Sequence, residues 1–278
     1  MPYRFAIIGC GSIASRHAQH ISSHGKLVGV TDIDISKATA LAAAYEAKVY
    51  KDATGLFKNE RPDVTVICSP NGLHANHAAQ ALLSGSHVLC EKPLVISSDD
   101  GKQLIGTASA TGKKLFVVKQ NRFNPPVILV KQLIDDGKLG KITGFNINCS
   151  WNRPDAYYKN TWRGTVDMDG GTLYTQFSHF IDILYWFIGD IKEATGWRAN
   201  FMHQDTIQFE DTGVVSLVMN SGAIGTINYT INAVGGNMEG SFTVFGEKGT
   251  IKIGGQYLNT IDYFSVENEN MPDITSGN

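Results

Sequence analysis

The sequence predicts an α/β chain in two parts: a parallel sheet wound on both faces by helices, then an α+β region built on a mainly antiparallel sheet. Three observations predict it. Short apolar runs alternate with helix-spaced segments as far as Asn121. Beyond it the strands lengthen, carry Thr and Asn, and are separated by turn residues. A glycine pattern joins the first strand to the first helix. The length, 278 residues, suits about two ordinary domains, and the boundary is placed between 121 and 122.

Taken in order, "RFAIIG", "KLVGVTD", "DVTVICSP", "SHVLCEK" and "KLFVVKQ" read as buried strands, and the segments between them carry Ala, Leu and Ile at helical spacing. Such alternation implies parallel strands with right-handed helical crossovers. A helix is expected from about Pro126 to Asp136, stopped by Gly137. Strands are expected in "KITGFNINCSWN", "KEATGWRAN", "DTGVVSLVMN", "AIGTINYTI" and "GSFTVFGEKGTIKIGG". One strong helix interrupts them, "GGTLYTQFSHFIDILYWFIG", opened by Gly170 and Gly171 and closed by Gly189.

Composition narrows the function. Hydrophobic residues at 42% and charged residues at 18% describe a folded, soluble chain. A net charge of -2 without a Lys/Arg block offers nothing to nucleic acid or an anionic membrane, so the expected partner is a small molecule. Cys10, Cys68, Cys90 and Cys149 are far apart and form no CxxC, and "HANH" (His74, His77) lacks a third ligand, so no metal is expected. The N-terminus lacks signal-peptide zones, and "FIDILYWFIG" is too short to span a bilayer and contains Asp182. A cytoplasmic location is expected.

"FAIIGCGSIASRHA" puts Gly9, Gly11 and Ala14 in G-x-G-x-x-A spacing between a strand and a helix that opens with Ser12 and Ile13. Gly9 permits the turn, Gly11 lets backbone approach a pyrophosphate, and Ala14 lets helix and strand pack closely. The second strand ends about 20 residues on at Asp32, where a carboxylate can accept both adenosine ribose hydroxyls. With Ile33 and Asp34 next in sequence, nothing basic stands ready for a 2'-phosphate, so NAD is favoured over NADP. Ligands of a doubly wound sheet bind beyond the strands' carboxyl ends. Three polar clusters stand at such ends: "SPNGLH" with Ser69, Asn71 and His74, "EKP" with Glu91, Lys92 and Pro93, and "KQNRFNPP" with Gln120, Asn121 and Arg122.

The glycine motif, "SPNGLHANHA", "HVLCEKPL", "DDGKLGKI" and "DGGTLYTQFSHFIDIL" follow one another in the order of the Gfo/Idh/MocA oxidoreductases, which the chain resembles over nearly its whole length. "KQNRFNPP", "CSWNRPDAYY", "WRGT" and "TQFSHFIDILYW" resemble the WlbA/WbpB branch, which oxidises the 3'' position of UDP-N-acetylglucosaminuronic acid. The resemblance implies a Rossmann domain followed by an α+β domain whose large open sheet joins copies into a homodimer or homotetramer. It implies that Lys92 lies near the nicotinamide, that the Lys92–Pro93 peptide is cis, and that His179 is the base. It places Gly9, Gly11, Ser12, Ile13, Asp32, Ser69, Asn71, His74, Glu91, Lys92, Pro93 and Gln120 at the cofactor.

The chemistry agrees. A neutral imidazole can take the proton of a secondary hydroxyl, and an ammonium beside the same oxygen stabilises the alkoxide. For the substrate, Arg122, Arg153 and Arg163 suit the carboxylate and diphosphate of a nucleotide-sugar uronate. Tyr157 and Trp162, with Trp151 and Tyr158 nearby, suit a sugar or uracil face; Asn121, Thr175, Gln176, His179 and Lys92 complete the set. Many relatives carry Asp where this chain has Thr175, which disfavours inositol and simple sugars. Asp182 either orients the imidazole or is structural. Two alternatives stay open: a dehydrogenase of an unphosphorylated sugar or polyol, and a non-catalytic dinucleotide-binding sensor. Relatives continue beyond "GTIKIGG" with a strand and a long helix, so this chain is expected to be a short member or to lack a C-terminal segment.

Overall fold

The first strand, β1 (Tyr3–Ile8), explains why its run is apolar without alternation. Ala6 and Ile8 pack into a core with Ile67, Val88 and Leu104, while Ile7 packs into a second core with Val30, Val66 and Leu41. Helices cover both faces of the sheet, so neither set of side chains meets water. The structure is a computed structural model that describes residues 2–159 and 161–271.

Contacts divide the chain into two units, Met1–Val118 with Asp167–Gly170, and Lys119–Val166 with Gly171–Asn278. The first continues through α1 (Ser12–His24), β2 (Gly25–Thr31), α2 (Ile35–Tyr45), β3 (Lys48–Tyr50), α3 (Ala53–Glu60), β4 (Val64–Ile67), α4 (His74–Leu83), β5 (His87–Cys90), α5 (Ser98–Thr111) and β6 (Leu115–Val117). Its six strands are all parallel in the order β3-β2-β1-β4-β5-β6, the doubly wound arrangement. The three-residue strand β3 escaped sequence reading because "KVY" is too short to show a period. The units part at Val118, three residues before the expected boundary. β6 has ended by then, and the chain enters a 3-10 turn, Gln120–Phe123, whose side chains bond within the second unit.

The second unit holds α6 (Pro125–Asp135), β7 (Ile142–Ser150), α7 (Asp155–Tyr158), α9 (Thr172–Thr175), α10 (Ser178–Ile188), β8 (Ile191–Ala199), β9 (Thr212–Met219), β10 (Ile224–Thr230), β11 (Glu239–Gly246), β12 (Gly249–Gly254) and β13 (Thr260–Val266), and the short α8 (Val166–Asp169) begins in it and runs into the Asp167–Gly170 segment of the first. Seven strands pair in the order β13-β12-β11-β7-β10-β9-β8; only β7 with β10 is parallel. Phe145, Ile147 and Cys149 of β7 point into a core shared with Val130 of α6 and Phe180, Ile183 and Phe187 of α10. Asn146 and Asn148 alternate to the other face, where Trp197 is 80% exposed and Ile224 62%.

The single long helix expected from Gly170 to Gly189 is two pieces. The ladder breaks at Phe177, whose amide reaches back to the carbonyl of Thr172 while its own carbonyl receives Phe180. Phe177 is fully buried against Trp151, Phe180 and Tyr229, so aromatic packing overrides helix propensity there. Gln176 therefore lies in the joint, and Ser178 and His179 begin a new helix.

Candidate functional site

The turn between β1 and α1 is shaped for a close-lying ligand. Gly9 has φ +90°, and a Cβ there would stand 2.6 Å from the Cys68 carbonyl carbon and the Ser69 nitrogen, so a side chain is excluded twice over. Gly11 caps α1 with no side-chain hydrogen bond, and a Cβ on it would meet nothing within 4 Å. By contrast α2, α3 and α5 are capped by the side chains of Asp34, Asp52 and Ser97. An uncapped helix start under open space fits a pyrophosphate. Ala14 is fully buried, as close helix–sheet packing requires, while Ser12 and Ile13 face outward at the helix start. Asp32 follows β2; its Oδ2 accepts the Cys10 amide at 2.5 Å and its Oδ1 the Asp34 amide at 2.8 Å, which fixes the carboxylate beside the glycine loop. Burial and then Asp32 push the Cys10 thiol up to about 12, so it stays protonated.

The three residues after β4 expected at the cofactor are each engaged within the unit. Ser69 Oγ lies 2.9 Å from His77 Nδ1, Asn71 Nδ2 donates to the Asp169 carbonyl at 3.3 Å, and the His74 ring lies between the carbonyls of Ser69 and Pro93. After β5, the Glu91 amide bonds the Ile67 carbonyl at 3.0 Å, and its carboxylate pairs with His17 Nε2 of α1 at 2.8 Å. The Lys92–Pro93 peptide is cis. His17 was missed in the sequence because its partner lies 74 residues away, and His77 was weighed only as a metal ligand, although its partner is Ser69, 8 residues away.

In the second unit the 3-10 turn is laced to the start of α10. Lys119 Nζ donates to the Ser178 carbonyl at 3.3 Å, Gln120 Nε2 lies 3.4 Å from His179 Nε2, and Arg122 holds Asp182 through Nε and Nη2 at 2.7 and 2.8 Å. Burial, against the pull of Asp182, lowers the proton affinity of Lys119. Arg122, offered to the substrate from sequence, is thus bound bidentately by Asp182, which ties the turn to α10. His179 is 6% exposed at the second position of α10, and Asn121 and Thr175 are also buried. Lys119 carried no assigned role in the sequence; only the fold brings it to α10.

The other two arginines share an aromatic cluster. Arg153 donates to Gln176 Oε1 at 2.7 Å and to Asn237 Oδ1 at 3.0 Å, and its guanidinium lies 5.1 Å from the Trp151 ring and 5.4 Å from that of Tyr157. Arg163 lies 4.6 Å from the Tyr157 ring and 4.7 Å from that of Trp162. Neither pairs with a carboxylate among the described residues. Two cations on one phenol ring, held by neutral amides and π faces, keep their charge for an anion. Among the described residues, no three His, Cys, Asp or Glu side chains are grouped to share a metal ion.

Comparison with known proteins agrees with both halves. Residues 3–119 match the model of the oxidoreductase family NAD-binding Rossmann fold, and residues 127–252 that of the GFO/IDH/MocA C-terminal domain. The crystal structure of the WlbA dehydrogenase from Bordetella pertussis, in complex with NADH and UDP-GlcNAcA, superposes with a TM-score of 0.93 at 36% identity, over 98% of this chain and 79% of that one. The D-glucoside 3-dehydrogenase of Escherichia coli strain K12 is 36% identical over 145 residues, 51% of this chain but 41% of that protein's length. The inositol 2-dehydrogenase of Rubrobacter xylanophilus is 27% identical over 266 residues, 89% of this chain and 70% of that protein.

Proposed function

Because the chain belongs to the Gfo/Idh/MocA oxidoreductases and its first unit is their NAD-binding Rossmann domain, we propose that it oxidises a secondary hydroxyl of a sugar, the 3'' hydroxyl of UDP-N-acetylglucosaminuronic acid. Bound NAD supplies the hydride acceptor. The backbone at Gly9, Gly11 and Ser12 holds the pyrophosphate, and Asp32 receives the adenosine ribose. His179 accepts the hydroxyl proton as hydride leaves the carbon that bears the hydroxyl, and the Lys92 ammonium stabilises the developing alkoxide. Gln120 meets the imidazole at 3.4 Å, and Lys119 and Arg122 hold the helix that carries it.

The observation that carries the substrate choice is the Arg153–Tyr157–Arg163 cluster, whose charge is unspent on any carboxylate among the described residues. A neutral polyol would leave two half-buried guanidiniums without an anion; a uronate diphosphate offers several. The sequence relatives that act on a glucoside and on inositol favour the second reading, an unphosphorylated sugar or polyol. A non-catalytic sensor is the third. We place the protein in the cytoplasm as an enzyme of nucleotide-sugar and surface-polysaccharide synthesis. Its copies pair through the uncovered sheet face, where Asn146, Thr195, Ser216 and Ile224 line a concavity of about 830 Å³. No described helix is long and apolar enough to cross a membrane.

The test is the reduced-nicotinamide absorbance on mixing the protein and NAD with UDP-N-acetylglucosaminuronic acid, myo-inositol or a glucoside. Turnover with the uronate at least tenfold more efficient than with the neutral sugars is expected. The reverse order supports the second reading, and no reduction with any of them the third.

A further inference from the structure

His74 is 1% exposed at the first position of α4, and both of its ring nitrogens face backbone carbonyls: Nδ1 lies 2.7 Å from the oxygen of Pro93, and Nε2 2.8 Å from that of Ser69. The two carbonyls belong to neighbouring strand ends, β4 and β5, which pair in parallel up to Ile67 and Cys90 and then diverge. A buried imidazole that touches only acceptors is a poor choice for packing and a good one for tying two loops together. Carrying one proton, it serves one carbonyl in each tautomer; carrying two, it serves both. With one proton the second carbonyl faces a bare nitrogen and is held only by packing against the ring, so the loop after β4 and the loop after β5 still rest on the same side chain.

The loop after β5 carries Lys92. Its neighbours are fixed on both sides, Glu91 by His17 at 2.8 Å and Pro93 by His74 at 2.7 Å, while Cys90 is fully buried behind them. We infer that His74 is a positioning residue: it sets the placement of Lys92 through the Pro93 carbonyl and couples it to the loop after β4 that contains Ser69. This rests on the proposed role of Lys92 in one respect only, that the placement matters for turnover. The clamp itself is independent of any substrate.

Two substitutions separate the ring's two contacts, because the amide nitrogen of Asn reproduces Nδ1 and that of Gln reproduces Nε2. The NADH complexes of wild type, His74→Asn and His74→Gln are compared by amide hydrogen exchange. His74→Asn should keep residues 91–97 at wild-type protection and raise exchange at least tenfold in 70–73; His74→Gln should do the reverse. With a confirmed substrate, His74→Gln should slow single-turnover NADH formation at least tenfold more than His74→Asn. A merely structural histidine would give the same exchange pattern in both variants, and that result, or no change in either loop, overturns the clamp. The exchange pattern without the rate difference would retain the clamp and overturn the proposed role of Lys92. If neither variant folds, ring proton and nitrogen spectra of the wild-type complex decide: a hydrogen-bonded, slowly exchanging His74 ring N–H is expected, and its absence overturns the inference.

Discussion

His179 accepts a proton in the proposed reaction and Lys92 offers a charge, so their replacements should fail in different ways. His179→Asn keeps size and polarity but removes the acceptor, and single-turnover NADH formation should slow by about 10²- to 10⁴-fold. Substrate affinity should change little. A variant with wild-type rates would make His179 structural. Lys92→Met should abolish turnover but hold NADH within a few-fold of wild type by titration, because the pyrophosphate is assigned to the glycine loop. Loss of cofactor from a folded variant would reassign the lysine. Arg122 shows the limit of reading residues singly: its anion-binding chemistry was foreseen, but its anion, Asp182, lies 60 positions away and comes from the protein itself.

The start of α4 gathers two histidines shifted in the same direction. Burial lowers His74 below its ordinary value of 6.5, against the pull of the Pro93 and Ser69 carbonyls and Glu91, with Lys92 adding to the lowering; burial and then the His74 ring lower His77. With both folded values below about 6.5, the unfolded chain binds more protons between the folded values and 6.5, so stability falls as pH drops through that window. Above it, both states are neutral at these rings and no dependence arises from them. Thermal midpoints should decline from pH 7 towards pH 5, and less steeply in His77→Asn; equal slopes would contradict the assignment. Elements with a clear local pattern were legible in the sequence: the apolar runs of "RFAIIG" and "DVTVICSP", the G-x-G-x-x-A turn and the alternation of "GFNINCS" all appear where expected. What was illegible depended on tertiary contacts. Phe177 splits the α10 region because its ring finds Trp151, and the edge strand β13, "TIDYFSV", escaped notice because its side chains are mostly exposed and its ladder to β12 fixes it.

At the scale of the whole molecule, each unit carries its own set of candidate residues. The first has a parallel sheet whose strand ends present an uncapped helix start, Asp32 and the EKP turn; the second has a helix bearing His179, braced by Lys119 and Arg122, and a pair of arginines on Tyr157. The glycine turn and the place of Asp32 after β2 were legible because each belongs to a local motif. The bracing was not, since Lys119–Ser178 and His17–Glu91 join residues 59 and 74 apart. The direct test of the proposed reaction follows the hydrogen itself. UDP-N-acetylglucosaminuronic acid deuterated at C3'' is incubated with the protein and NAD, and the nucleotide is examined by mass spectrometry. Reduced nicotinamide carrying one deuterium, formed in step with a 3''-keto sugar, is the expected result; unlabelled NADH, or no NADH while the substrate is shown to bind, would contradict it.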